Sequence, residues 1–236
     1  MQHFGIIGNP LGHSQSKAYF ERRFLAEHID AMYAEYPLEH IEQVRPLLSS
    51  LDGMNVTSPF KLQIIPYLQG LDAVAQAIGA VNVVYHNIGY NTDWIGVVET
   101  LRPAIRPADR QALVLGSGGA ARAVGYGLQQ LGLSVRYVSR DARRGDLTYD
   151  DLDESIIRDH SVIANATPLG MSPHLDEAPR IPYEALTEQH LLFDCIYNPA
   201  ETLFLRLARE QGARTLNGQR MFLAQAEPAY RIFMGI

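Results

Sequence analysis

Three clusters of residues in this chain could carry chemistry. Lys61 closes the stretch Gly53-Met54-Asn55-Val56-Thr57-Ser58-Pro59-Phe60-Lys61, just past a short apolar run and a proline-fixed turn. Asp93 sits in a second polar cluster, Asn91-Thr92-Asp93-Trp94-Ile95-Gly96. Further on, Leu113-Val114-Leu115 runs straight into Gly116-Ser117-Gly118-Gly119-Ala120-Ala121. A lysine, an aspartate and a dinucleotide fingerprint together imply hydride transfer to a carbonyl. As hydride arrives, negative charge grows on the carbonyl oxygen; a positioned ammonium stabilises that charge and can donate the proton. Lys61 suits this role. A carboxylate at Asp93 would orient the amine and accept a hydrogen bond from a substrate hydroxyl. Taken singly, a surface lysine and a helix cap are the plainer readings of these two residues.

The fingerprint has its own logic. Gly116 and Gly118 with Ala121 match G-x-G-x-x-A. The first glycine makes a tight turn, the second lets backbone approach a pyrophosphate, and the small third residue lets helix and strand pack closely. Ser117, Gly119 and Ala120 complete the loop, and the helix that follows aims its first N–H groups and its dipole at the phosphates. A second strand ends at Val138-Ser139-Arg140-Asp141. An NAD-specific fold places an acid at this tip to hold the ribose 2′-hydroxyl. Ser139 stands there instead, and the Arg140 guanidinium can pair with the 2′-phosphate of NADP, supported by Arg143 or Arg144. Asp141 could neutralise Arg140 or take the ribose itself. NADP is therefore favoured, with NAD as the alternative.

A further constellation lies early, in Gly8-Asn9-Pro10-Leu11-Gly12-His13-Ser14-Gln15-Ser16. Ser14 and Ser16, two hydroxyls at a predicted helix N-terminus, form a small anion site suited to a carboxylate, with capping as the plainer alternative.

These residues need a scaffold. Short apolar runs alternate with amphipathic stretches from end to end, which predicts α/β architecture with largely parallel sheets. Strands are expected at 3–8, 31–37, 53–57, 80–86, 111–116, 133–139, 161–165, 190–195 and 213–216. Helices are expected near 14–29, 39–51, 70–78, 93–103, 119–131, 201–211 and 218–233. In the first helix, Phe20, Phe24 and Leu25, with Ile29, are expected to share one face and Ser14 to cap it. The proline-containing stretch Arg102–Asp109 reads as the end of a connecting helix and a linker, which sets a domain boundary near residue 100. Pro228 is expected to kink or end the last helix.

Composition narrows the class. The chain has 236 residues, 47% of them hydrophobic, and a formal net charge of −6, which argues against a nucleic-acid surface. No apolar run approaches the roughly 20 residues that span a bilayer, and the N-terminus reads as a first strand rather than a signal peptide. The single cysteine, Cys195, excludes an intrachain disulfide and fits a reducing cytoplasm; it reads as a small buried apolar residue. The eight histidines show no ligand spacing, so no metal is expected.

In these residues the chain resembles the shikimate dehydrogenases. The likeness is carried in order by the Gly8–Ser16 stretch, Asn55 to Lys61, Gly79-Ala80-Val81-Asn82, Asn91 to Gly96 and the Gly116 loop. Asn165-Ala166-Thr167-Pro168-Leu169-Gly170-Met171, Asp194 to Thr202 and Asn217-Gly218-Gln219-Arg220-Met221-Phe222-Leu223-Ala224-Gln225 complete it. The resemblance implies reversible, NADPH-dependent reduction of 3-dehydroshikimate to shikimate, toward chorismate and the aromatic amino acids. It implies Lys61 and Asp93 as the catalytic pair and Ser14 and Ser16 on the substrate carboxylate. Thr57, Asn82, Asp93 and Gln225 would hold ring hydroxyls, and Tyr197 would line the pocket. Residues 116–122 would cradle the pyrophosphate, Ser139 and Arg140 the ribose phosphate, and Thr167 and Met171 the nicotinamide side, with Gly218 also at the cofactor. It implies a two-domain fold: an open, mostly parallel substrate-domain sheet with helices, from 1–100 plus 218–236, and a Rossmann-type NAD(P)-binding domain over 101–217. A cytoplasmic monomer or homodimer, acting on a small molecule with no nucleic-acid or membrane partner, is the matching expectation. The alternatives are a quinate/shikimate dehydrogenase using NAD or NADP, and a non-catalytic metabolite-sensing relative. The chain departs from the family at Lys17 (commonly proline), at Tyr19-Phe20 (frequently His-Asn), at Asp141 (usually threonine with NADP), and in length, with a trimmed segment expected between 140 and 160.

Overall fold

The computed structural model describes residues 1–12 and 14–236. The chain divides into two compact units, Met1–Thr92 with Gln225–Ile236, and Asp93–Ala224.

The first unit is built on six strands: β1 (Gln2–Gly8), β2 (Ala31–Pro37), β3 (Gly53–Val56), β4 (Gly70–Leu71), β5 (Val83–Tyr85) and β6 (Ile88–Tyr90). Their order is β2-β1-β3-β5-β6-β4. β2, β1 and β3 are parallel, β5 runs antiparallel to both its neighbours, and β4 is parallel to β6. Three helices connect them, α1 (Ser16–Ala26), α2 (Val44–Ser50) and α3 (Ala73–Ile78). Side chains alternate across the sheet. Phe4 and Ile6 of β1 join Phe20 and Phe24 of α1 and Tyr230 and Phe233 near the C-terminus on one face. Ile7, Met54 and Val56 join Val44, Phe60 and Ile64 on the other.

Sequence and structure part in several places here. Leu25 is 78% exposed, because it lies roughly 140° round α1 from Phe20 whereas Phe24 is one turn on. Helix α1 starts at Ser16 with Gln15 at the cap position and no side-chain cap; Ser14 instead accepts the Ser16 N–H at 3.2 Å, ahead of the helix. The expected strand over 80–86 is a hairpin, β5 turning into β6 through His86 (φ 47°) and Asn87 (φ 60°). Helix α3 is shorter than expected because Asp72 caps it, accepting from Ala75 N at 2.8 Å, and Gly79 ends it in the left-handed conformation.

The second unit is a five-stranded, wholly parallel sheet in the order β11-β10-β9-β7-β8. The strands are β7 (Gln111–Leu115), β8 (Ser134–Val138), β9 (Val162–Asn165), β10 (Leu191–Asp194) and β11 (Arg214–Leu216). The helices are α4 (Asp93–Leu101), α5 (Gly119–Gln130), α6 (Glu154–Asp159) and α7 (Leu203–Glu210). Both faces of the sheet are covered: Leu113 and Leu115 pack with Ile157 and Phe204, while Ala112 and Val114 pack with Val97, Val124 and Leu128.

Helix α8 (Gln219–Met234) contributes its first turns to the second unit and the rest to the first, and it runs on through Pro228. The packing seams fall at residues 92 and 224 rather than near 100 and 217. α4 explains the first shift. Its Val97 and Leu101 lie in one core with Val124 and Leu128, Trp94 meets Tyr126 edge-on at 5.6 Å, and a Cβ on Gly127 would come within 2.8 Å of Val97. Cys195 is half-buried at the edge of this core. Among the described residues no helix is long and apolar enough to cross a membrane.

Candidate active site

In an open α/β sheet, ligands gather outside the carboxyl ends of strands where the strand order reverses. In the first unit that point lies between β1 and β3: the strand that follows β1 in the chain, β2, lies on one side of this pair, and the strands that follow β3 lie on the other. The chain leaves these two strand ends at Asn9 and at Thr57; Thr57 and Lys61 lie just beyond β3, and Ser14 and Ser16 lie between β1 and the body of α1. The two segments are joined by Asn9 N donating to Ser58 O at 3.0 Å and by Thr57 N donating to Ile7 O at 2.9 Å. Lys61 is half-buried, and its carbonyl accepts from Val81 N at 2.8 Å, which fixes the backbone from which the amine extends.

Beside it lies a buried polar cluster. Asn82 Oδ1 accepts Thr92 N at 2.7 Å, and Asn82 Nδ2 donates to the Thr92 hydroxyl at 2.9 Å and to Gln225 Oε1 at 3.2 Å. The Thr92 hydroxyl also reaches Gln225 Oε1 at 3.3 Å. Asn82 and Gln225, distant in sequence, are thus brought together. Thr92, quoted only as part of a motif, proves to be their link, and it immediately precedes Asp93, the buried first residue of α4. Two further residues were not singled out in the sequence. Tyr33, stacked on Phe20 at 4.7 Å, donates its hydroxyl to Asn55 Oδ1 at 2.7 Å and is also hydrogen-bonded to Ser16. Burial pushes the Tyr33 phenol well above its ordinary value, so it serves as a neutral donor. A polar residue such as Asn55 inside an otherwise apolar strand was the available signal. His13 of the first motif lies outside the described residues.

In the second unit the strand order reverses between β7 and β9. The Gly116 loop leaves β7, and Ala166-Thr167 leaves β9. Gly116 has φ +118°, and a Cβ there would come within 3.1 Å of Ala166 O. Gly118 is the cap of α5 and has nothing within 4 Å of its Cβ position. The first N–H groups of α5, from Gly119, Ala120 and Ala121, have no carbonyl one turn back within the helix. Ala121 is fully buried against the sheet, as the small third position requires. The Ser117 and Ser139 hydroxyls lie 3.2 Å apart, and Arg144 donates to Ser117 O at 3.3 Å, so the loop and the β8 tip form one rim. Arg140 is exposed at that tip. Asp141 engages Arg143 rather than Arg140, through two side-chain bonds and one backbone N–H bond, each of 3.0 Å, and this pairing holds its carboxyl below the ordinary value.

Thr167 and Met171 share one turn, closed by Met171 N donating to Pro168 O at 3.1 Å. The Tyr197 ring packs on Phe222 at 5.3 Å, and Gly218 N donates to Ile196 O at 3.0 Å. A Cβ on Gly218 would lie 2.1 Å from Cys195 O, so only glycine permits that approach. All eleven residues expected at the cofactor lie in this unit.

Comparison with known proteins supplies the family. Residues 6–84 match the family model for the shikimate dehydrogenase substrate binding domain. The shikimate dehydrogenase (NADP(+)) of Desulforamulus reducens is 36% identical, over 98% of this chain and 89% of that protein. The chain belongs to the shikimate dehydrogenase family. Solved shikimate dehydrogenases agree in fold. The enzyme from Thermotoga maritima superposes with a TM-score of 0.87 at 30% identity, covering 99% of this chain and 94% of that one. The Thermus thermophilus enzyme, in complex with NADP(H) and shikimate, gives 0.86 at 29% identity, covering 100% and 94%.

Proposed function

We propose that this chain catalyses the reversible, NADPH-dependent reduction of 3-dehydroshikimate to shikimate, in the route to chorismate and the aromatic amino acids. The observation that carries this reading is the match to shikimate dehydrogenases along nearly the whole chain, with Lys61 and Asp93 both present. The chain acts on a small molecule; we place it in the cytoplasm, as a monomer or homodimer.

The second unit fits NADPH. The space over Gly118, the first N–H groups of α5 and a serine in place of the usual acid at the β8 tip suit a pyrophosphate and a phosphorylated ribose. The Gly116–Ala121 loop would hold the pyrophosphate, Ser139 and Arg140 the ribose phosphate, and Thr167, Met171 and Gly218 the nicotinamide side. Bound NADPH supplies the hydride. The rest falls to this chain's own side chains. Ser14 and Ser16 would hold the substrate carboxylate. Thr57, Asn82, Asp93 and Gln225 would fix the ring hydroxyls, Tyr197 would bound the pocket, and the Lys61 Nζ would deliver a proton to the oxygen as charge develops there.

The test is a steady-state assay of NADP⁺ and NAD⁺ reduction with shikimate and with quinate. The proposal expects the highest kcat/KM for shikimate with NADP⁺. A preference for quinate or for NAD⁺ would replace it with a quinate/shikimate dehydrogenase; binding without turnover would point to a sensing relative.

A further inference from the structure

One buried carboxylate has no part in the chemistry just described. Asp194 ends β10 and is wholly buried. Its Oδ1 accepts from Asn165 Nδ2 at 3.1 Å and from Ile196 N at 3.0 Å, and its Oδ2 accepts from the Thr202 hydroxyl at 2.6 Å. Asn165 ends the neighbouring strand β9, directly opposite Asp194 in the parallel register. Its amide is fully used. The second Nδ2 hydrogen goes to Leu169 O at 3.2 Å, and Oδ1 accepts both the Thr167 N–H at 3.0 Å and the Thr167 hydroxyl at 2.6 Å. The Thr167 oxygen in turn accepts from Leu169 N at 3.3 Å.

The chemical asymmetry of the pair matters. A carboxylate only accepts, so Asn165 can present only its NH₂ end to Asp194. The carbonyl end must then face Thr167. Without an obligate acceptor at 194 the amide could rotate, and the Thr167 N–H and hydroxyl would meet a donor. A buried carboxylate is costly unless it is well bonded, and three donors converge on this one. Two of them, Ile196 N and the Thr202 hydroxyl, fold the segment 194–202 around Asp194, and the third, from Asn165, ties it to the turn 165–171, where a Cβ on Gly170 would sit 2.9 Å from Thr202 Cβ.

We propose that Asp194 is a positioning residue for the cofactor: by fixing the orientation of the Asn165 amide it holds the Thr167–Met171 turn in its binding conformation and sets NADPH affinity without touching NADPH. The proposal rests on the reading above that Thr167 and Met171 face the nicotinamide.

The test uses the full chain and measures the NADPH Kd by fluorescence titration, with the KM values for NADPH and 3-dehydroshikimate. Asp194→Asn keeps an oxygen at the position that Ile196 N demands, so Asn165 stays oriented and the NADPH Kd stays close to that of the unmodified chain. Asp194→Leu removes the acceptor and raises the NADPH Kd by about tenfold or more, with the 3-dehydroshikimate KM little changed. Asn165→Asp sets two carboxylates against each other. It weakens NADPH binding at neutral pH and recovers as pH falls, when one shared proton restores the link. Tyr183, whose phenol feels the Asp194 charge, is held protonated throughout that range by burial. A folded Asp194→Leu chain with unchanged NADPH affinity overturns the proposal. If that variant does not fold, a pH-independent NADPH Kd in Asn165→Asp overturns it instead. An unmodified chain that fails to bind NADPH overturns both the functional reading and this inference, whereas normal binding there with unaffected variants overturns the inference alone.

Discussion

The Asn82 amide donates to the Thr92 hydroxyl at 2.9 Å while its carbonyl oxygen takes the Thr92 N–H at 2.7 Å. This two-point clamp fixes the residue that leads into Asp93. Asn82→Ala would leave the buried Thr92 N–H and the Gln225 amide without these partners, at a cost of about 1–3 kcal/mol in stability. It should also lower kcat/KM for shikimate while leaving the NADPH Kd unchanged, since Asn82 belongs to the first unit. Denaturant unfolding with cofactor titration checks both halves; equal losses for the two ligands would contradict the assignment of Asn82 to substrate.

Lys61→Ala should reduce kcat by ~10²–10⁴ with a smaller change in KM, because an ammonium that acts on a developing charge contributes more to the transition state than to the ground state. Steady-state kinetics in both directions is the measurement. Turnover kept within a few-fold of the unmodified chain would remove the lysine from proton transfer.

How far these sites could be read from the sequence depended on whether local chemistry or distant packing set them. β2 and the five strands of the second unit lie within about two residues of the sequence expectation, because most of them centre on a short apolar run bounded by turn residues. The hairpin at His86-Asn87 was not legible. Both residues take positive φ, a conformation usually announced by glycine at the second position, and none is present. Helix α6 is a single short piece without clear periodicity. Asn165 and Asp194 stand in the quoted motifs, yet their pairing comes from strand register, which no single segment encodes. The same holds for Tyr33 and Asn55, on strands that both flank β1.

At the β8 tip, Asp141 engages Arg143, while Arg140 is exposed and is the proposed partner of a 2′-phosphate. Arg140→Ala should therefore weaken NADPH by about 10–100-fold, the range of a lost charge-assisted bond, and change NADH little. Arg143→Ala should change NADPH far less. Paired kcat/KM values for the two cofactors decide the matter, and parallel losses for NADPH and NADH on Arg140→Ala would exclude a phosphate contact.

Two glycines of one loop should separate stability from binding. Gly116 has φ +118° and a carbonyl 3.1 Å from its Cβ position, so Gly116→Ala should destabilise the chain by about 1–3 kcal/mol. Gly118 has φ −84° and open space around its Cβ position, so Gly118→Ala should fold with nearly unchanged Tm. That methyl would nonetheless occupy space a pyrophosphate needs, and the NADPH Kd should rise by about tenfold or more. Calorimetric melting beside cofactor titration gives both readouts. A Gly118→Ala chain that binds NADPH normally would displace the pyrophosphate from this loop.

Asp194 also makes a prediction about pH that is independent of catalysis. Burial pushes its carboxyl up to about 6, against the opposing effect of the Thr202, Ile196 and Asn165 donors. A carboxyl with a raised value binds its proton more tightly in the folded chain than in the unfolded one. Its contribution to stability is thus complete below the ordinary carboxylate value and is lost as pH rises through about 6. A shift of this size corresponds to roughly 2–3 kcal/mol. Asp194→Asn cannot titrate, and the other carboxylates titrate alike in both proteins. The unfolding free energy of the unmodified chain minus that of Asp194→Asn should therefore fall by roughly 2–3 kcal/mol between about pH 4 and about pH 7. Urea unfolding at a series of pH values measures this difference directly. A difference that stays flat would mean that Asp194 ionises as easily in the fold as in water, and that its three donors fully offset the cost of burying its charge.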